Sequence, residues 1–173
     1  MHKLIKFNIK EPQKGDRKIS YSQFAMYSKC PKQWELAYIR GLRQFSQSIH
    51  TLFGTSFHET LQHYLTVMYE QTAKAADELD LNAMLQERMR HHYQHAVKEM
   101  DHFSTKFELA EFYQDGVTIL DYIKRHRSKY FSAKNEELVG IELPIYHPVN
   151  QDKGIYMLGY IDVIIRDKRT DEI

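Results

Sequence analysis

Apolar residues recur every three or four positions through most of this chain and then, after Asn135, begin to alternate, so the pattern predicts helices first and strands last. Near the start, Ile5, Phe7 and Ile9 alternate with Lys6, Asn8 and Lys10, which predicts a short edge strand before Pro12 and Gly15 interrupt it. Ser20 followed by Gln23 has the form of a capping box, and Pro31 fits only the first turn of a new helix. Two short helices are therefore expected over 21–29 and 31–40, the second ended by Gly41. From 52 to about 71, Phe53, Phe57, Leu61, Tyr64, Leu65 and Met68 share one side of an amphipathic helix. A polar connection over 72–80 leads to a further helix whose stripe is Leu81, Leu85, Met89, His92, Ala96, Met100 and Phe103. The last helix, about 108–130, turns Leu109, Phe112, Val117, Leu120 and Ile123 inward. It ends in Lys124, Arg125, Arg127 and Lys129, cations that suit the carbonyl end of its dipole.

The runs 138–146 and 155–166, separated by Asn150-Gln151-Asp152-Lys153-Gly154, read as a hairpin. In the second run Ile155, Met157, Ile161, Val163 and Ile165 point one way, and Leu158, Tyr160 and Ile164 the other. Both faces are apolar, which predicts a central strand covered on both sides. After the polar turn 167–171, Glu172-Ile173 reads as the first step of another strand. The expectation is one α+β domain over 1–173: an edge strand or tail at 1–18, helices at 19–131, and the start of a mixed sheet at 136–173 on which the helices pack.

Composition narrows this only locally. Basic and acidic residues number 24 and 23, so any surface for nucleic acid must be a patch rather than a whole-molecule field. A single cysteine, Cys30, forms no internal disulfide, and the amino terminus lacks the succession of a secretory signal. An intracellular, cytoplasmic setting is expected, and no apolar run has the length to span a bilayer. Aromatic residues make up 13% of the chain, twelve of them tyrosines, which suits core packing and also base stacking.

Asp162 is the first candidate for chemistry. An unpaired carboxylate inside a covered strand is costly to desolvate. The pattern therefore calls for a bound metal or a basic side chain beside it, unless the carboxylate lies at the strand's wet end. His58, in the first turns of the helix over 52–71, borders the apolar stripe of Phe57 and Leu61; a boundary histidine of this kind is as a rule a packing residue. Together, an imidazole and a carboxylate can share a divalent ion, with water completing an oxygen-rich shell suited to Mg²⁺ or Mn²⁺. His91, His92, His95 and His102 lack a metalloprotease-type motif and a carboxylate partner in sequence, and read as a mixed solvated and core helix face. Lys29, Lys32, Arg40 and Arg43 could contact phosphates or simply be solvated.

The order of three segments resembles a known family. SYSQFAMYSKCPKQWELAYIRGL, with Ser22, Tyr27, Cys30, Pro31, Trp34 and Tyr38, resembles the opening helix of RecB/Cas4-like nucleases. FGTSFHETL is similar to their G-T-x-x-H-E helix, and IELPIYHPV followed by GIYMLGYIDVII resembles their strand pair leading into Gly-x-x-Asp, here Gly159 and Asp162. The likeness, running from about 19 to 173, implies the PD-(D/E)XK nuclease superfamily and its restriction-endonuclease-like fold. It implies a metal-dependent DNA nuclease that hydrolyses phosphodiester bonds, with exonuclease or end-processing activity and a helicase or recombination partner. His58 and Asp162 would be metal ligands for Mg²⁺ or Mn²⁺, and Asp162 the first catalytic acid. Glu142 aligns with a recurrent family glutamate and is a further candidate near the metal. Cys30 matches a position that in Cas4-like and AddB-like members ligates an iron–sulfur cluster, which one cysteine cannot build.

The family continues into a strand bearing Asp or Glu, one residue, then Lys. Asp167-Lys168-Arg169, in a turn, does not meet that pattern. The expectation is thus a nuclease chain ending before that strand and inactive by itself. The alternative is a catalytically inactive nuclease-like module that binds DNA or a protein. An all-helical interaction domain is the weaker reading, because it leaves the Gly-x-x-Asp strand unexplained.

Overall fold

A computed structural model describes residues 11–42, 47–99 and 103–173. The strand expected at 5–9 lies outside the described residues. The elements in order are β1 (Arg17–Ser20), α1 (Tyr21–Lys29), α2 (Pro31–Trp34) running into a π-helical turn (Glu35–Ile39), α3 (Ile49–Glu70), α4 (Ala73–Asp77), α5 (Leu81–Glu99), α6 (Lys106–His126) with a 3₁₀ turn (Arg127–Lys129), β2 (Glu136–Asn150) and β3 (Ile155–Asp167). The fold is α+β, helices preceding a three-stranded mixed sheet. Two compact units emerge, one formed by the stretch up to residue 42 with 139–165, the other by 47–138 with 166–173.

In the first unit the strand order is β1-β3-β2, with β1 parallel to β3 in the register Arg17↔Ile155 to Ser20↔Leu158. β2 and β3 are joined by the turn 151–154, too short for anything but an antiparallel hairpin. Gly154 makes that turn at φ 59°, and a Cβ there would collide with the carboxylate of Asp16, whose neighbour Arg17 donates its N–H to the Gly154 carbonyl at 2.8 Å. As expected, β3 is central. β2 is an edge strand among the described residues, which explains how it holds Pro144 and Pro148, neither of which has an N–H for a ladder.

Local chemistry sets the helix starts. The Ser20 hydroxyl accepts from the Gln23 N–H at 3.3 Å and opens α1. The Cys30 thiol accepts from the Gln33 N–H at 3.4 Å and caps α2, with Pro31 in its first turn. The helix expected over 31–40 is not uniform, since after one α-turn it widens into the π-turn before Gly41 at φ 67°. Thr105 and Glu108 form a complete capping box, with the Thr105 N–H donating to the Glu108 carboxylate at 2.8 Å and the Glu108 N–H to the Thr105 hydroxyl at 3.2 Å. That signal starts α6 two residues before the expected 108. The connection 72–80, expected to be irregular, contains α4, capped by the Thr72 hydroxyl.

The second unit's core is the buried face of α3: Ile49, Leu52, Ser56, Thr60, Tyr64, Val67 and Met68, joined by Leu65. This line is displaced from the expected stripe, since Phe53, Phe57 and Leu61 are only half-buried. Ser56 and Thr60 are fully buried because each hydroxyl donates to the carbonyl four residues back, Leu52 and Ser56 respectively, both at 2.8 Å. Small side chains with satisfied hydroxyls let neighbouring helices come close. Gly116 of α6 does the same, for a Cβ there would lie 2.5 Å from Leu85 Cδ2 and 2.9 Å from Phe53 Cε2. Leu81, Leu85 and Met89 of α5 and Leu120 of α6 complete the core.

A polar junction fastens α4 to the end of α6. The buried Tyr64 hydroxyl donates to Asp77 Oδ1 at 2.9 Å and accepts from Arg127 Nη1 at 3.2 Å, and Arg127 also pairs with Asp77. Burial opposes ionisation of Asp77, but the hydrogen bonds from Arg127 and Tyr64 outweigh it and hold its pKa below the usual carboxylate value.

Gly116→Ala is expected to lower the unfolding free energy by about 1–2 kcal/mol in urea titration, overpacking exceeding the gain in helix propensity; an unchanged or raised midpoint contradicts the close crossing. For Asp77, whose folded pKa is depressed, the stabilisation is complete above the unfolded value near 3.9 and is lost as pH falls through the folded one. The stability advantage of the parent over Asp77→Asn, followed by thermal melting, should therefore hold above about pH 4 and shrink below it.

Candidate functional site

His58 sits on α3 two positions from both Ser56 and Thr60, so at about 100° per residue it points some 160° away from that buried line. Its side of the helix is nonetheless covered: Leu65, two turns on, is buried, and the His58 Nε2 is shut off from solvent. His58 is half-buried, as the boundary position implied.

The neighbouring Glu59 belongs to a polar cluster between α3 and α5 that the sequence did not reveal. Its two carboxylate oxygens each lie 3.1 Å from His92 Nε2, and Arg88 Nε approaches at 3.7 Å. His92 thus has the carboxylate partner that spacing along the chain could not supply, while its ring packs edge-on against His91 at 5.5 Å. The Gln62 Nε2 and Arg88 Nη1 are buried in the same two helices without a hydrogen-bond acceptor. The available signal was the pairing of a Glu on one helical face with an Arg-x-x-x-His face on another. Only tertiary packing shows that these faces meet.

On β3, Asp162 is exposed, correcting the expectation of a buried carboxylate. On one side this stretch of β3 has no neighbouring strand among the described residues, because β1 is short. It pairs with 155–158 and ends at Ser20, so Gly159 to Asp162 run beyond it, and Tyr160 and Ile161 are exposed as well. Coverage resumes at Ile164, which is buried. Asp162 therefore needs no compensating cation for burial; of the readings open in the sequence, the carboxylate at a wet part of the strand is the one observed. Arg166, the next basic side chain on the strand, is engaged by Glu137 and, at 3.1 Å, by Asp171 Oδ1.

Glu142 is exposed on β2 with φ 50°, a left-handed backbone that a strand residue other than glycine adopts only at a local irregularity. The alternation changes phase there, Glu142 being exposed and then Ile145, His147 and Val149. That is the signature of one inserted residue, and it re-aims the Glu142 side chain relative to a regular ladder.

The proposed phosphate contacts fare unequally. Lys32 and Arg40 both bind Glu35, at 2.8 and 2.6 Å, so one carboxylate offsets half of their charge. Lys29 is exposed, and Arg43 lies outside the described residues, as does His102. At the end of α6, Lys124 donates to the Asp77 carbonyl at 2.8 Å and Arg127 is held in the Tyr64 junction, so half of that basic cluster is structural. Asp167 accepts from the Arg169 side chain and backbone, which lowers its pKa to about 2 and ties both residues into a local turn. Glu172-Ile173, expected to begin a strand, is irregular.

A model of the PD-(D/E)XK nuclease superfamily matches residues 18–173. The chain belongs to that superfamily. Neither the comparison with curated proteins nor that with solved structures yields a match. The family match spans α1, the His58 helix and the Asp162 strand, the three segments singled out in the sequence. Imidazole and carboxylate are donors that a superfamily nuclease's divalent ion accepts. Among the described residues, however, no three His, Cys, Asp or Glu side chains converge to hold one. His58 belongs to the second unit and Asp162 to the first. Among the described residues, no helix is long and apolar enough to cross a membrane.

A double-mutant cycle on Glu59→Gln and His92→Phe should return a coupling of about 0.5–1.5 kcal/mol in unfolding free energy, as expected for a partly exposed charged hydrogen bond. Coupling indistinguishable from zero means that the two side chains do not hold α3 against α5.

Proposed function

We propose that this chain belongs to a metal-dependent DNA nuclease domain of the RecB/Cas4-like branch, acting on phosphodiester bonds as an exonuclease or end-processing enzyme. The observation that supports it is the superfamily match over 18–173, which includes both the G-T-x-x-H-E helix and the Gly-x-x-Asp strand. In this reading His58 supplies a nitrogen donor and Asp162 an oxygen donor toward Mg²⁺ or Mn²⁺, and the bulged Glu142 is a third candidate on the neighbouring strand. Such an ion, when bound, acidifies water and offsets charge developing on the phosphate. The exposure of Asp162 suits this role, since a ligand must be reachable by the ion and the substrate. Cys30 is the position from which an iron–sulfur cluster would be held, given three further cysteines. A helicase or recombination protein is the partner the branch suggests.

A second reading, a nuclease-like module that binds DNA or a protein without cleaving, is favoured by one observation: the absence of a three-donor cluster among the described residues.

The test is degradation of linear DNA in Mg²⁺ or Mn²⁺ by the product of the complete gene, beside Asp162→Ala and His58→Ala. Loss of cleavage by at least about a hundredfold in both is expected. Variants that cleave as fast as the parent remove the metal-ligand assignment. A parent inert with either metal leaves the binding module as the function.

A further inference from the structure

Between Arg17 and Trp34 the chain carries Arg17, Lys18, Lys29 and Lys32 and no acidic residue, Lys32 alone being paired with Glu35 just beyond, although the whole sequence has a net charge of only +1. The same stretch contains α1, in which no residue is buried. Tyr21, Phe24 and Tyr27 are 73%, 51% and 51% exposed. They follow one another at three-residue intervals, so each ring is displaced about 60° around the helix and about 4.5 Å along it from the last. The remaining exposed side chains of α1 are Ser22, Ser28 and Lys29, whereas its aliphatic residues, Ala25 and Met26, are half-buried. The face thus exposes rings, hydroxyls and an ammonium, groups that suit base stacking beside a phosphate backbone. Tyr27 is held by Trp34, edge-on at 5.4 Å, and Trp34 in turn stacks with Tyr38 at 6.4 Å, so the Tyr27 ring stands on an aromatic base.

We propose that the exposed aromatic stripe of α1 (Tyr21, Phe24 and Tyr27), flanked by Lys29, is a stacking platform for single-stranded DNA. The proposal rests on the nuclease reading for the kind of nucleic acid involved, and it names the form in which that DNA is held. Rings stack on bases regardless of sequence because every base has a π-face, and a basic flank neutralises the backbone. A duplex hides its base faces and gains only the electrostatic part. Because each ring is offset about 60° as well as about 4.5 Å from the last, the rings stand further apart than stacked bases, and each can take a base of an extended, unstacked strand.

The experiment is fluorescence anisotropy with a labelled 20-nucleotide oligo-dT and a duplex of equal length, in EDTA so that cleavage plays no part. Phe24→Ala and Tyr27→Ala should each weaken single-strand binding about tenfold, Tyr21→Phe and Tyr27→Trp should leave it unchanged, and Lys29→Ala should reduce the salt slope by about 0.7. Circular dichroism and melting of the same variants establish that the fold persists. Alanine variants that bind oligo-dT like the parent overturn the proposal, as does duplex binding equal to single-strand binding. If those variants instead lose capture of a purified protein while DNA binding stays intact, the stripe is a protein-docking face and the proposal also falls. Because the readout needs no metal, a protein that binds as described yet never cleaves removes the catalytic reading and leaves the platform standing.

Discussion

Burial of one line of small and large residues along α3 governs the helical unit. Ser56 and Thr60 can be placed at the tightest part only because their hydroxyls return to their own helix, leaving no unsatisfied donor in the core. With that face fixed, Tyr64 is carried inward to the Asp77–Arg127 junction, and His58 and Glu59 are turned to other sides of the same helix. The histidine's placement is thus a consequence of core packing. The glutamate next to it is pinned between Arg88 and His92 rather than left to solvent.

The sheet obeys a different constraint, the number of residues that β1 has to offer. Four residues pair with the start of β3, and the strand beyond them is open along Gly159 to Asp162. A carboxylate in such a stretch stays hydrated, whereas the same group under a covering layer would require a partner. The bulge at Glu142 on the neighbouring strand further marks this part of the sheet as irregular, and bulges of this kind commonly re-aim a side chain at a working edge.

Charge is distributed economically. Several cations are occupied: Lys32 and Arg40 by Glu35, Arg127 by Asp77, Lys124 by the carbonyl end of α4, Arg169 by Asp167. Arg17, Lys18 and Lys29, in a stretch free of acidic residues from Arg17 to Trp34, are where positive charge and exposed rings coincide. A near-neutral protein can in this way present a local surface suited to a polyanion without a field over the whole molecule.

The sequence by itself determined the longer elements and their approximate limits, though not β1 or α4, because the longer ones rest on local chemistry: the Ser20 cap, Pro31 in a first turn, Gly41 and Gly154 at positive φ, and the switch from helical to alternating apolar spacing after Asn135. It also carried the superfamily, through the order of three short motifs. What tertiary structure alone decided was which faces are covered. The buried line of α3 is offset from the apolar stripe because small polar residues can be buried where helices come close, which hydrophobicity does not signal. Asp162 is exposed despite apolar neighbours on both faces of its strand, in a stretch that β1 stops short of, and where β1 stops is not written in β3 itself. Glu59 and His92 are partners across 33 positions, a distance at which the linear order of residues carries no geometric information until the helices pack.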